Sequence, residues 1–383
     1  MRKKKAQVLR WVWAGLALGL SPLYFFQAPK MPLFITQLAL TEFGHWLALP
    51  SLILAMGPWA RGPERRTRAA CLAAALLFLS PALRAWLQAP VFAREAAQHW
   101  PTAPEKLSPA FSWNRLFFGD KPGPPLLRED EVFDPEHALS LTCWRRADEE
   151  GLLTARPMVL VIHGGGWETG QRNDFPAWNA AIAAEGYVVI DADYRLAPAS
   201  PWPAQREDIL RALEHARLNA KRWGIDPKRC VLMGRSAGAH LALATAYLLE
   251  DSAIKGVASF YGPADLFFAY KFGTEDDVLH SPQLLREFCG GSPETVRANY
   301  MDASPYFHVG PKTPPTFMAH GRIDSLVWQK QSARLSTQLE QAGRPYEFLD
   351  LPWATHGFDY NFHGPSGQLA WHGLQRFLAT TLK

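Results

Sequence analysis

Three stretches of the 383-residue chain carry residue types able to perform acyl transfer. Gly234-Arg-Ser236-Ala-Gly238 sets a serine between small residues, as a sharp strand-to-helix turn needs if the hydroxyl is to stand clear of the backbone. A serine hydroxyl attacks only when a base takes its proton, and that base needs an acid to orient it. His356, in Thr355-His356-Gly357-Phe358, offers the base, and Asp324, closing His320-Gly-Arg-Ile-Asp324, offers the acid. Asp265, in Tyr261-Gly-Pro-Ala-Asp265, is a rival acid that follows an earlier strand and ranks second. The glycines of His163-Gly-Gly-Gly166-Trp167 let backbone N–H groups approach a ligand, as a developing oxyanion requires. A phosphate cradle would instead want a Lys-Ser/Thr pair or a glycine-spaced helix start, and the sequence has neither there.

These motifs need a scaffold, and the sequence supplies one. Pro157–His163, Tyr187–Asp193, Cys230–Gly234, Gly256–Tyr261, Thr316–His320 and Tyr346–Leu351 are short apolar runs of the kind that form buried parallel strands. Helical spacing fills Ala204 to Trp223, with Gly224 as terminator, then Ala237 to Glu250, and recurs around Leu335/Leu339 and Leu374/Phe377/Leu378. Strands alternating with helices predict a mainly parallel α/β sheet covered on both faces. Each motif then falls on a loop at a strand's carboxyl end, where such folds gather their chemistry. Leu266–Pro311 is far longer than an ordinary connection and reads as a cap.

The first hundred residues differ in character. They hold twelve Lys/Arg against three Asp/Glu, whereas the remainder is net acidic, with twenty-eight against thirty-three. The basic residues flank apolar runs, which fits a membrane rather than nucleic acid. Trp11–Pro29 covers about 28 Å as a helix, close to the bilayer's hydrocarbon core. Met31–Ala60 is also long enough, and Ala69–Leu83 is a third run, extendable if Arg84 snorkels. Three spans would put Arg2–Lys5 and the Arg61–Arg68 cluster in the cytoplasm and the catalytic part outside it. Glu42 and His45 share a helix face and read as a packing pair rather than an intramembrane site. The expected division is a membrane region over 1–92, a proline-rich linker or cap over 93–138, and a catalytic domain over 139–383. The aromatic Phe111–Phe118 is equally consistent with an acyl pocket and with core packing. Cys71, Cys143, Cys230 and Cys289 form no close pair, so neither a disulfide framework nor a clustered zinc site is expected.

From Leu139 to the C-terminus the chain resembles an α/β-hydrolase of the hormone-sensitive-lipase-like esterase group. His163-Gly-Gly-Gly166, Asp193-Tyr-Arg-Leu-Ala-Pro198, Gly234-Arg-Ser-Ala-Gly238, Asp324 and His356-Gly-Phe358 match that group's motifs in order and spacing. The resemblance implies an oxyanion hole from the N–H groups of Gly165, Gly166 and Ala237, and no metal or cofactor. One position departs: the group typically has an acidic residue before the serine, where this chain has Arg235. Related bacterial carboxylesterases and formamidase-like hydrolases vary there, so the subfamily stays open.

The expected activity is that of a serine carboxylesterase acting on a small or lipid-like ester through an acyl-enzyme on Ser236. The alternatives are an amide hydrolase (peptidase or aryl formamidase) with the same triad, a silent membrane-tethered binding module, and transport or sensing by the spans. Sequence is silent on oligomeric state.

Overall fold

The computed structural model describes residues 2–56, 65–147 and 155–383. Arg61 and the end of the Met31–Ala60 run lie outside the described residues. Three helices open the chain: α1 (Arg2–Leu20), α2 (Met31–Met56) and α3 (Arg65–His99). After the short α4 (Trp113–Phe118) come strands β1 (Leu126–Asp134), β2 (Leu139–Arg146) and β3 (Arg156–Ile162). Then follow α5 (Pro176–Ala184), β4 (Val188–Ala192), α6 (Ala204–Leu218), α7 (Ala220–Trp223), β5 (Ile225–Arg235), α8 (Ala237–Leu249) and β6 (Ile254–Phe260). The cap holds α9 (Leu266–Phe272), α10 (Ser281–Cys289) and α11 (Arg297–Ala303). The chain closes with β7 (Thr316–Gly321), α12 (Lys330–Gln341), β8 (Tyr346–Leu351) and α13 (Pro365–Thr381).

One eight-stranded sheet runs in the order β1-β2-β4-β3-β5-β6-β7-β8. The six strands from β4 to β8 are parallel, and β1 and β2 join antiparallel at one edge. β3, β4, β6 and β7 are almost wholly buried because helices cover both faces, which is why they read as continuous apolar runs, while β8, at the sheet edge, alternates buried and half-buried residues. One face packs on α6 and α8 through Leu160, Ile190, Leu213, Leu232 and Leu241, and the other on α5 and α13 through Val159, Val231, Ile182 and Phe377. Gly224 ends α7 in the left-handed conformation at φ 67°, as its position suggested. The sheet starts earlier than the expected boundary at residue 139, because β1 pairs with β2 from Leu126 onward.

The amino-terminal region departs from three spans. Trp11–Pro29 does not form one helix: α1 stops at Leu20 and Ser21–Tyr24 winds into a 3-10 turn, with Pro22 early in it. Among the described residues, two helices, α2 and α3, are long and apolar enough to cross a membrane. α3 also continues past Leu83, through Pro81 and Pro90, to His99. Its buried alanines 82, 85, 89 and 96 let it lie close on its neighbours, and it packs along α13. Where the snorkelling Arg84 was expected, the guanidinium sits 5.3 Å over the Trp353 ring. The helices are therefore docked on the sheet domain, so residues 1–92 are not a detached unit.

Glu42 and His45 do share a buried face, yet Glu42 turns to Ser366 of α13 and His45 to the aromatics of α4 rather than pairing with each other. Glu42 Oε1 accepts from Ser366 Oγ at 2.7 Å, and the His45 ring meets Phe117 edge-on at 5.2 Å. All four cysteines are buried and free.

Candidate active site

The candidate nucleophile sits where the sequence put it, between β5 and α8. Ser236 has φ 53° and ψ −120°, a conformation that costs energy for a residue with a side chain. The turn is held by close backbone approach: a Cβ on Gly238 would stand 2.2 Å from the carbonyl oxygens of His163 and Ile162, and one on Gly234 2.2 Å from that of Gly238. Only glycine fits at either position. This steric requirement, rather than flexibility, explains the Gly-x-Ser-x-Gly spacing.

Asp324 and His356 meet directly. His356 Nδ1 lies 2.7 Å from Asp324 Oδ2 across the loops that follow β7 and β8. The other oxygen, Oδ1, accepts from the N–H groups of Leu326 and Val327, each at 2.8 Å. His320, at the end of β7, adds a contact at 3.2 Å from its Nε2 to Oδ2. Burial alone would raise the Asp324 pKa, but the His356 charge and the hydrogen bonds from His320 and His356 outweigh it and bring it down to about 2. The carboxylate is thus ionised and accepts only, which puts the His356 proton on Nδ1 and leaves Nε2 free as a base. Asp265 is engaged elsewhere: it caps α9 through Phe268 N and pairs with Arg334 at 2.7 Å.

Ser236 and Asp324 line one cavity of about 330 Å³. Gly166, Trp167 and Ala237 form its floor side, and Phe268, Phe272, Leu284 and Leu285 of the cap, with Trp328, form apolar walls. Residues 111–118 do not line it. That segment packs instead on α2 and α13, with Phe117 on Trp46 and Ser112 N donating to Gln368 Oε1. Of the two readings of Phe111–Phe118, core packing is the one seen, and the apolar walls of the cavity come from the cap instead.

The glycine loop is braced from behind. Gly165 takes φ 108°, and a Cβ there would stand 2.1 Å from the Thr169 carbonyl oxygen. The His163 ring stacks on Tyr194 at 4.2 Å, so the Asp193–Pro198 motif acts as a support for this loop. Trp167 Nε1 donates to His240 Nδ1 at 3.2 Å, and His240 Nε2 then donates to the Ala303 carbonyl oxygen at 2.6 Å. Burial lowers the His240 pKa to about 4, consistent with a neutral ring that accepts on one nitrogen and donates on the other.

Two features were not foreseen. Arg235, the departure before the serine, is buried and donates through Nε to Asp359 Oδ2 at 2.5 Å. Its guanidinium lies 4.2 Å over the Phe175 ring, and Asp359 Oδ1 also accepts from Tyr261 Oη at 2.5 Å. Asp359 lies three residues beyond His356, so this pair ties the serine turn to the histidine loop. The second feature is Gln27, between α1 and α2, which lines the cavity and donates through Nε2 to the Asp324 carbonyl oxygen at 2.6 Å. An Arg beside a candidate serine was visible in the sequence; its partner 124 residues away was not.

A family profile, BD-FAE, matches residues 149–339. The chain is similar to LipM of Mycobacterium tuberculosis, described as a probable carboxylic ester hydrolase: 32% identical over 235 residues, covering 57% of this chain and 53% of that protein. Esterase LipC of the same organism is 29% identical over 317 residues, 74% of this chain and 71% of that protein. This chain spans about half the length of LipM. Among solved structures, a fungal esterase from Rhizomucor miehei aligns with TM-score 0.57 and 22% identity over 76% of this chain and 97% of its own. Sheet order, serine turn and these likenesses give the chain the α/β-hydrolase fold. LipM and LipC are described as a probable carboxylic ester hydrolase and an esterase.

Proposed function

We propose that the protein is a serine carboxylesterase held at a membrane by its amino-terminal helices. One observation carries this reading: Ser236, on a strained turn, opens into the same cavity as Asp324, whose carboxylate orients His356. Ser236 Oγ attacks the ester carbonyl carbon while His356 Nε2 takes its proton, and Asp324 stabilises the resulting imidazolium. The N–H groups of Gly165, Gly166 and Ala237 receive the oxyanion. Ala237 is the first residue of α8, so its N–H has no partner within the helix and points along the positive end of the helix dipole. His356 then protonates the leaving alcohol, and water, deprotonated by the same imidazole, releases the acid from Ser236.

The placement outside the cytoplasm rests on the helices' polarity. Arg68 Nε donates to the Ala55 carbonyl oxygen, and Cys71 Sγ reaches that of Arg10, so the ends bearing the basic residues gather together. The connection between α1 and α2, with Gln27 and Lys30, lies at the sheet domain instead. The positive-inside tendency assigns the basic end to the cytoplasm.

The test uses the full chain in detergent, with p-nitrophenyl esters, the matching anilides and an active-site fluorophosphonate. Ester turnover and fluorophosphonate labelling that both vanish in Ser236→Ala support the reading. Faster turnover of anilides than esters would replace it with an amide hydrolase, and no labelling at Ser236 would refute both.

A further inference from the structure

The segment joining α1 to α2 closes one side of the active-site cavity. Gln27 Nε2 holds the Asp324 carbonyl oxygen, and Lys30 Nζ reaches the Asp276 carbonyl oxygen of the cap at 3.1 Å. Gln27 faces two spaces. On one side is the cavity with Ser236; on the other is an apolar groove of about 360 Å³ between the end of α1 and the start of α2. Gly19, Leu23, Phe26, Pro29 and Leu33 line that groove. Its polar lining is essentially Gln27, so it offers little to a sugar or an ionised ligand.

The groove's outer lip is continuous with a surface suited to lipid. Phe25, Phe26 and Ile35 are each more than half exposed, beside α2, a helix of membrane-crossing length. Soluble surfaces seldom expose large apolar side chains in such a contiguous group. The groove opens at one end among exposed apolar side chains and at the other shares Gln27 with the cavity that holds Ser236, the arrangement a long aliphatic chain would use.

We propose that this groove is a subsite for the acyl chain of a bilayer-resident ester, which reaches Ser236 from the membrane past Gln27. The proposal rests on the esterase reading and narrows its substrate to long-chain acyl esters. Each methylene moved from water to an apolar site favours binding by a factor of about four. A side chain that excludes two or three methylenes therefore lowers the preference for long over short chains by roughly 15- to 60-fold.

The experiment uses the full chain in vesicles of neutral phospholipid, comparing dodecanoyl with butyryl p-nitrophenyl ester. Gly19→Trp and Leu33→Trp each fill the groove. An added side chain at Gly19 meets open space, so the helix accommodates it. The expected result is a fall of that size in the dodecanoyl-to-butyryl ratio in both variants, with none in Leu76→Trp, on the exposed face of α3. A ratio unchanged in both groove variants overturns the proposal. A photoreactive dodecanoyl ester bound to Ser236→Ala gives an independent reading. Labelling within residues 19–33 supports the groove, and labelling confined to other lipid-facing residues overturns it. Labelling of the groove without ester turnover in the unsubstituted chain would sink the esterase reading while leaving the subsite in place.

Discussion

Replacing Asp359 by Asn tests the buried pair behind the serine turn. Arg235 and Asp359 are 2% and 0% exposed, so neither charge can turn to water when its partner is lost. Asp359 accepts from Arg235 Nε on one oxygen and from Tyr261 Oη on the other. An amide supplies only one acceptor, so Asn must aim its NH₂ at one of those donors. Removing one partner of a buried ion pair typically costs about 3–5 kcal/mol, because the remaining charge stays desolvated. The stacking of Arg235 over Phe175 and Trp178 persists in Asp359→Asn, which points to the lower end, about 3 kcal/mol. For a domain of this size that lowers Tm by roughly 4–6 °C. Arg235→Met should cost more, since it also loses the stacking. Arg235→Met/Asp359→Leu should recover most of the loss, because an apolar replacement of a buried pair is often close to neutral. The assay is thermal and urea unfolding of the full chain in detergent, read as a double-mutant cycle. Single variants costing under about 1 kcal/mol, or a double variant whose cost is simply the sum, would refute the argument.

Other consequences are more direct. Asp324→Asn should lower kcat about 10⁴-fold with little change in fold, because the amide no longer fixes the His356 tautomer; stopped-flow kinetics on a short-chain ester measures it. Asp324 carries a folded pKa of about 2, below its unfolded value near 3.8. Its contribution to stability is therefore complete above about pH 4, disappears as pH falls toward 2, and amounts to about 2 kcal/mol; urea midpoints across that range should show a steeper fall in the unsubstituted chain than in Asp324→Asn. Gly238→Ala places a methyl group against two backbone oxygens that cannot move apart without opening the sheet, so it should destabilise by more than about 3 kcal/mol and abolish labelling of Ser236.

The parts of the fold that could be read from sequence share one property: their signal is local. β3, β4, β6, β7 and the Cys230–Arg235 part of β5 are buried on both faces and advertise themselves as apolar runs, and the serine turn is set by glycines two residues on either side. β1 escaped notice because Leu126-Leu-Arg-Glu-Asp-Glu-Val-Phe-Asp134 is a charged edge strand, half solvated, and its polar residues resemble a loop. The length of α3 was hidden because its apolar run breaks at Arg84 and Pro90 follows; packing of its alanine face on α13 carries the helix through both. The aromatic segment 111–118 could fill a pocket or a core equally well, and only the position of α2 decides for the core. Asp324 and His356 were legible as separate motifs, whereas Gln27 and Asp359 gain meaning only from residues 297 and 124 positions distant.

The bracing of the histidine loop by the amino-terminal helices bears on how the protein is made and unmade. Leu38 touches the position of Gly357, Asn361 Nδ2 donates to the Glu42 carbonyl oxygen, and Ser366 to its carboxylate. These contacts join the first fifty residues to the last thirty. During synthesis the helices are made before their partners, so the acid–base half of the site is completed only once residues 357–366 have been made and docked on α2. The same arrangement makes the amino-terminal helices a support of the candidate site. On the proposed reading, a protease that cut between α3 and the sheet would leave the histidine loop unsupported, so the expected result is loss of ester turnover rather than a freed soluble enzyme.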